Sequence, residues 1–306
     1  MDKSLLEKLD LFQNQANQVL LGKQAEVRLA LCCLLAKGHL LIEDVPGVGK
    51  TTLATTLAKL LGAEFQRIQF TSDMMPSDIL GCSVWRTDLQ AFVFSPGPVF
   101  RSMVLADEIN RATPKAQSAL LEAMEEKQIT VDGQTYRLPE PFFVIATQNP
   151  LNHSGTQALP ESQLDRFMMR IELGYPDSVA ERLLLKGDKH SDIFRSLVPV
   201  LGIEELKQLQ AMVFRVYVSD ALIDYVMNII DFTRYSGEYR LGLSPRAGVV
   251  LLTAARAWAL VAGRDSVVPE DVQAVLGAVV GHRICAAGVC SQQIVESICQ
   301  QVKIYA

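Results

Sequence analysis

Residues 43–52 read EDVPGVGKTT. Gly47 and Gly49 allow the backbone to curl so that successive N–H groups face an anion. Lys50 adds a cation, and Thr51 adds a hydroxyl suited to a divalent metal. A helix beginning here would add the positive end of its dipole. This is the chemistry of a polyphosphate site. The usual spacing, G-x-x-x-x-G-K-[ST], asks for a glycine where Asp44 stands. Asp44 precedes the curl, at the end of the incoming strand, so its side chain is expected to point away from the phosphates. Residues 46–52 (Pro46, Gly47, Val48, Gly49, Lys50, Thr51, Thr52) form the expected nucleotide-binding set.

Further groups suit phosphoryl transfer. The apolar run Met103–Ala106 ends in Asp107-Glu108. Asp107 can hold Mg²⁺ through water together with Thr51, and Glu108 can orient and deprotonate an attacking water. A second apolar run, 142–147, ends in Gln148-Asn149, which places an amide where it can hold that water or touch the terminal phosphate. Arg166 stands just before the apolar segment 167–173. It can stabilise charge on the transferring phosphoryl group, in its own chain or in a neighbour. Arg170 is the alternative for this role, and an ion pair with Asp165 is the structural use of Arg166. Ser244-Pro245-Arg246 opens a helix. From there Arg246 is expected to reach back to the nucleotide, closing a helical lid on the terminal phosphate.

The elements that position these groups alternate. Helical spacing of Leu5, Leu9, Phe12, Ala16 and Leu20 predicts a first helix over 4–21, and a second covers roughly 24–37. A short strand at 39–42 leads into the glycine loop, and a helix follows over 51–61. Strands are expected at 65–70, 103–106, 142–147 and 167–173, with helical patterns between most of them. Continuous apolar strands alternating with helices predict a parallel sheet covered on both faces. Two hairpins interrupt it, one within 84–94 and one around Asp132-Gly133, a pair suited to a two-residue turn. Beyond residue 177 the pattern is helical, with helices at 178–186, 203–212, 219–235, 245–261 and 269–280. The division expected is an α/β nucleotide-binding core over 1–177 and a helical lid over 178–306.

Composition narrows the class. Of 306 residues, 49% are hydrophobic and 21% charged, enough for a large core, and the net charge of −5 without a basic block argues against a nucleic-acid coat. Six cysteines without a C-x-x-C pair or histidines at zinc spacing predict free thiols in a reducing compartment. The N-terminus has no apolar signal core, and Arg28, Lys37 and Arg256 interrupt the greasiest runs. A cytoplasmic protein without a membrane span is expected.

Taken in order, these motifs resemble the AAA+ ATPases of the MoxR family. The specific pieces are Glu43–Thr51, Ala106-Asp107-Glu108-Ile109-Asn110-Arg111-Ala112, Ala119–Glu126, Ala146–Pro150, Leu159–Phe167 and Ser244–Ala247. The resemblance implies a P-loop AAA+ fold with two hairpin insertions and a small all-α lid. It also implies ATP and Mg²⁺ as ligands, and a homo-oligomeric ring, usually a hexamer, with nucleotide between subunits. It makes Lys50 and Thr51 the Walker A residues and Asp107 and Glu108 the Walker B pair. Asn149 becomes sensor 1, Arg246 sensor 2 and Arg166 the arginine finger. Leu21 and Gly22, with Lys23, would lie by the adenine. Acidic residues are common at the position of Asp44 in this family. Chaperone-like remodelling of a protein substrate, often with a partner bearing a von Willebrand factor A domain, is the implied activity.

Three other functions fit parts of the pattern. A metal-chelatase motor subunit carries similar insertions and would co-purify with a porphyrin-binding subunit. A nucleic-acid motor has only a thin basic set to offer in the hairpins, Arg86, Lys127 and Arg137. A small-molecule kinase would share the loop but has no need for Asn149, Arg166 and Arg246 together.

Overall fold

The computed structural model describes residues 3–149, 157–185, 189–239, 241–284 and 291–304. The N-terminal half runs α1 (Lys3–Val19), α2 (Gln24–Leu35), β1 (Leu40–Glu43), α3 (Lys50–Leu60), β2 (Phe65–Gln69), α4 (Pro76–Leu80), β3 (Gly81–Arg86), β4 (Ala91–Pro96) and β5 (Met103–Asp107). There follow α5 (Pro114–Glu126), β6 (Gln128–Val131), β7 (Gln134–Arg137), β8 (Phe143–Gln148), α6 (Glu161–Leu164) and β9 (Met169–Ile171). The rest is helical: α7 (Ser178–Leu185), α8 (Lys189–Ser196), α9 (Ile203–Val213), α10 (Asp220–Tyr235), α11 (Pro245–Val261), α12 (Pro269–Ile284) and α13 (Ser291–Gln301).

Five strands form one parallel sheet in the order β2-β5-β8-β1-β9. Side chains alternate across a strand, so each strand feeds two cores. Leu40, Ile42, Met103, Leu105, Phe143 and Ile145 pack on one face with α1, α2, α3 and the C-terminal helices. Leu41, Val104, Ala106, Val144 and Ala146 pack on the other face with α4 and α5. The central strands β5 and β8 are buried along their whole length, as covering on both faces requires.

The hairpins stand outside this sheet. β3 pairs with β4, and β6 with β7, each antiparallel. Asp132 and Gly133 both have positive φ (50° and 78°), the conformation of a tight two-residue turn. The hairpins touch each other, because Phe94 stacks on Tyr136 with ring centroids 4.0 Å apart.

The expected strand over 167–173 is shorter, Met169–Ile171. The carbonyl before it is used by side chains instead: Phe167 O accepts from His282 Nε2 and Arg283 Nη2. Two further helices, α8 and α13, were not evident from periodicity. Cys32, Cys33, Cys82 and Cys299 are free thiols, while Cys285 and Cys290 lie outside the described residues. Burial pushes the Cys32 and Cys33 thiols well above the ordinary range. No helix among the described residues is long and apolar enough to cross a membrane.

Candidate active site

Three parallel strands, β5, β8 and β1, end side by side, and the side chains that follow them meet in a cavity of about 460 Å³. Such a crevice beyond the C-terminal ends of strands is where open α/β sheets bind ligands. The loop after β1 forms one wall. Gly47 and Gly49 have φ of 89° and 99°, and Gly49 caps the start of α3. A Cβ at either would meet nothing within 4 Å, so only the backbone angle demands glycine there.

Asp44 turns away from the cavity. Its Oδ1 accepts from Val45 N at 2.7 Å and its Oδ2 from Gly174 N at 2.6 Å. The carboxylate thus fixes the exit of β1 and ties it to the segment after β9. The residue at the motif's missing glycine points away from the curl, as its position before it suggested, and serves as a structural brace.

Lys50 is buried. Its Nζ donates to Asp44 O at 2.5 Å and to Asn149 Oδ1 at 2.9 Å. Burial lowers its pKa, and the carboxylates of Asp44, Asp107, Glu108 and Glu43 oppose that shift. Asn149 passes the contact on, donating from Nδ2 to Glu108 Oε1 at 2.9 Å. Lys50, Asn149 and Glu108 therefore form one hydrogen-bonded line across the floor of the cavity. Thr147 braces the carboxylate pair: its Oγ1 donates to Asp107 Oδ1 at 2.6 Å and accepts from Glu108 N at 2.9 Å. Glu108 itself adopts a left-handed backbone, φ 56°, where β5 turns into a short 3₁₀ segment. This conformation aims its carboxylate into the crevice.

Two residues escaped the sequence reading. Arg67 donates from Nε (3.1 Å) and Nη2 (2.6 Å) to Asp107 Oδ2. Gln69 donates to Glu108 Oε2 at 3.0 Å. Both project from β2, two residues apart and so on one face. The only sequence signal was two polar residues alternating along an edge strand, and their partners lie far along the chain.

Pro46, Gly47, Gly49, Lys50, Thr51, Thr52, Asp107, Glu108 and Asn149 of the expected set all line this cavity. Val48 does not; it packs against the core. Leu21 and Gly22 do not line it either. Their turn lies against 175–180, where Lys23 Nζ donates to Tyr175 O at 2.9 Å. Pro150 lies outside the described residues. The donor set fits Mg²⁺: one hydroxyl and one carboxylate leave the remaining positions to phosphate oxygens and water, the usual pattern for this ion.

The arginines depart from expectation. Arg170, within β9, donates to Glu43 Oε2 at 2.8 Å and is largely enclosed. Arg166 does not pair with Asp165, which is taken by Arg283. Instead Arg166 Nη2 lies 3.2 Å from Glu125 Oε2, and Arg246 Nη1 lies 3.0 Å from Glu125 Oε1. Both arginines line a separate cavity, shared with Lys37, Gly38 and His39 at the start of β1. The parallel register pairs Leu40 with Met169, so Arg166 lies beyond the N-terminal end of the sheet. The glycine loop follows the opposite end of β1, and a strand of four residues spans about 13 Å. Arg246 therefore does not reach back to the glycine loop of its own chain, and it closes no lid there. The cause is how the helical region is anchored. Arg28 of α2 stacks over Trp258 of α11 at 4.0 Å, and His282 and Arg283 of α12 hold the approach to β9. The start of α11 lies at Pro245, as expected, and Ser244 caps it; it is thereby held at the far end of the sheet.

Comparison with known proteins agrees with this geometry. Residues 39–169 match the model for the ATPase family associated with various cellular activities (AAA), and residues 232–298 match the AAA lid domain. The chain is 45% identical to the uncharacterized protein YeaC of Bacillus subtilis over 94% of this chain and 92% of that one. It is 40% identical to Chaperone MoxR1 of Mycobacterium tuberculosis (88% and 74%) and 31% identical to Protein MoxR of Paracoccus denitrificans (88% and 86%). A crystal structure of a candidate ATPase from Cytophaga hutchinsonii superimposes with a TM-score of 0.90 at 35% identity, covering 99% of this chain and 96% of that one. The chain belongs to the MoxR family of AAA+ ATPases.

Proposed function

We propose that the chain hydrolyses ATP and uses the cycle to remodel or assemble partner proteins, as one subunit of a ring with nucleotide at each subunit interface. The observation that carries this reading is the separation of two half-sites: Lys50, Asp107, Glu108 and Asn149 at one end of the sheet, Arg166 and Arg246 at the other. Neither half is a complete phosphoryl-transfer site. A neighbour presenting its arginine end to this chain's glycine loop would complete one.

In this reading the N–H groups of 47–52 and the Lys50 ammonium bind the β- and γ-phosphates. The Thr51 hydroxyl and, through water, Asp107 would hold Mg²⁺, which would supply neutralising charge for the phosphates. Glu108 takes a proton from the attacking water, and Asn149 keeps its carboxylate aimed. Arg166 of the adjacent subunit meets the charge that develops on the γ-phosphoryl group, with Arg246 beside it. Charge stabilisation of this kind, rather than covalent chemistry, carries phosphoryl transfer.

The relative named Chaperone MoxR1 supports the chaperone-like half of the reading. A von Willebrand factor A domain partner, a hexameric ring and a cytoplasmic location belong to the same proposal. The test of the enzymatic half is Glu108→Gln. Turnover with Mg²⁺ should fall by about 10²–10⁴-fold, the usual share of a general base, while ATP still binds. Turnover that survives the substitution would remove Glu108 from the chemistry.

A further inference from the structure

The cavity at the arginine end has an unusual charge for an acidic chain. Among the described residues, Lys37, Lys127, Arg166, Arg246 and Arg283 line it against Glu125 and Asp165. Asp165 is committed to Arg283, which is itself almost enclosed. Among the described residues, Glu125 is thus the carboxylate left between Arg166 and Arg246, with one oxygen on each guanidinium. Bringing two like charges together is unfavourable, and an anion between them offsets the repulsion. A phosphate group offers the same pairing with more oxygens and more charge.

Glu125 also has a mechanical position. It is the penultimate residue of α5, whose last turn leads directly into hairpin β6–β7. Lys127 forms the joint, with φ of 52°; its N–H donates to Ala123 O, and its carbonyl accepts from Leu138 N at 3.0 Å, closing the base of the hairpin. The clasp on Glu125 therefore fixes the root of this hairpin to the two arginines. Through the Phe94–Tyr136 stack it also bears on hairpin β3–β4.

We propose that Glu125 is a resident stand-in for the neighbouring subunit's terminal phosphate, and that its displacement by that phosphate frees the root of hairpin β6–β7. The proposal rests on the reading of Arg166 and Arg246 as groups supplied to a neighbour. It goes beyond that reading by naming what the arginines release and which element responds. Engagement of nucleotide at an interface and movement of the hairpins are then one exchange of anions, not two linked events. All three side chains are partly exposed, so the clasp is weak enough to be exchanged.

Hydrogen exchange of the amides in 126–138, measured by mass spectrometry on the full chain, tests this directly. In the parent protein, adding a non-hydrolysable ATP analogue with Mg²⁺ should speed exchange there about fivefold, the factor expected when two half-exposed ion pairs are lost. Glu125→Gln should show the fast rate without nucleotide and respond no further. Its half-saturating protein concentration for turnover should fall by a similar factor, about fivefold, because the competitor for the arginines is gone. The double variant Arg166→Ala/Arg246→Ala should also show the fast rate without nucleotide. Parent-like slow exchange in nucleotide-free Glu125→Gln would overturn the proposal. So would a specific rate for Glu125→Gln as low as that of Arg166→Ala, which would make Glu125 a positioning group. If Arg166→Ala alone kept full turnover, the neighbour reading would fall, and the nucleotide-free exchange rates would still judge the clasp.

Discussion

Asn149→Ala should separate catalysis from binding. The side chain is 6% exposed and makes two bonds to charged partners: Lys50 Nζ at 2.9 Å and Glu108 Oε1 at 2.9 Å. Bonds to charged groups are worth about 1.5–3 kcal/mol each. The Lys50 bond is dispensable to the complex, because Lys50 also has the Asp44 carbonyl and turns to the phosphates when they arrive. The Glu108 bond is not replaced: Gln69 and Arg111 hold the other oxygen, and Oε1 is left free to swing. One lost bond of this strength corresponds to about 10–100-fold in turnover. Steady-state kinetics should therefore show kcat down by about that factor, with the equilibrium affinity for ATP changed less than about threefold. Asn149→Asp should be no better, since its second carboxylate oxygen faces Glu108 and repels it. If Asn149→Ala weakened ATP binding and left kcat unchanged, the line from Lys50 to Glu108 would have no catalytic meaning.

Two further outcomes concern stability. His39 is buried and neutral: its Nδ1 accepts from Val144 N at 3.0 Å, its Nε2 faces Met124 O, and burial lowers its pKa to about 4. Its unfolded pKa is near 6.5, so below that value the unfolded chain binds a proton that the folded chain refuses, and stability falls as pH drops from about 6.5 toward 4. Chemical denaturation across this range should show the loss, and His39→Gln should reduce it but not remove it, because His282 is buried with its pKa likewise lowered. Arg170→Ala should strand the Glu43 carboxylate beneath the glycine loop. It should cost about 1–3 kcal/mol, discounted for partial exposure, read as a lowered Tm. Arg166→Ala, at the surface, should leave Tm almost unchanged.

How far the sequence can be read depends on whether a residue's partners are near it in the chain. The strand, curl and helix around Lys50 form a contiguous unit, so its local geometry was legible, including the outward turn of Asp44. The Asp132-Gly133 turn and the helix start at Pro245 were legible for the same reason. Arg67 and Gln69 were not, because their meaning comes from pairing β2 with β5, some forty residues later. The position of Arg246 was misjudged for a related reason. Its helix was read correctly, but the end of the sheet it faces is set by Trp258 on Arg28 and by α12 on β9, contacts between distant parts of the chain. The expected strand 167–173 overran because apolar residues on both sides of 169–171 are buried by helices, not by strand pairing.

The central claim is that each site is built by two subunits. The most direct measurement mixes two inactive variants. Lys50→Ala keeps the arginine end and loses the phosphate end; Arg166→Ala does the reverse. Alone, each should turn over ATP about a thousandfold more slowly than the parent, the low end of the effect of a missing arginine finger. Mixed in equal amounts, they should regain up to about one quarter of the parent rate, since an interface needs an intact loop from one subunit and an intact arginine from the next. A mixture that stays inactive, while mass measurement shows both variants in the same rings, would contradict the account.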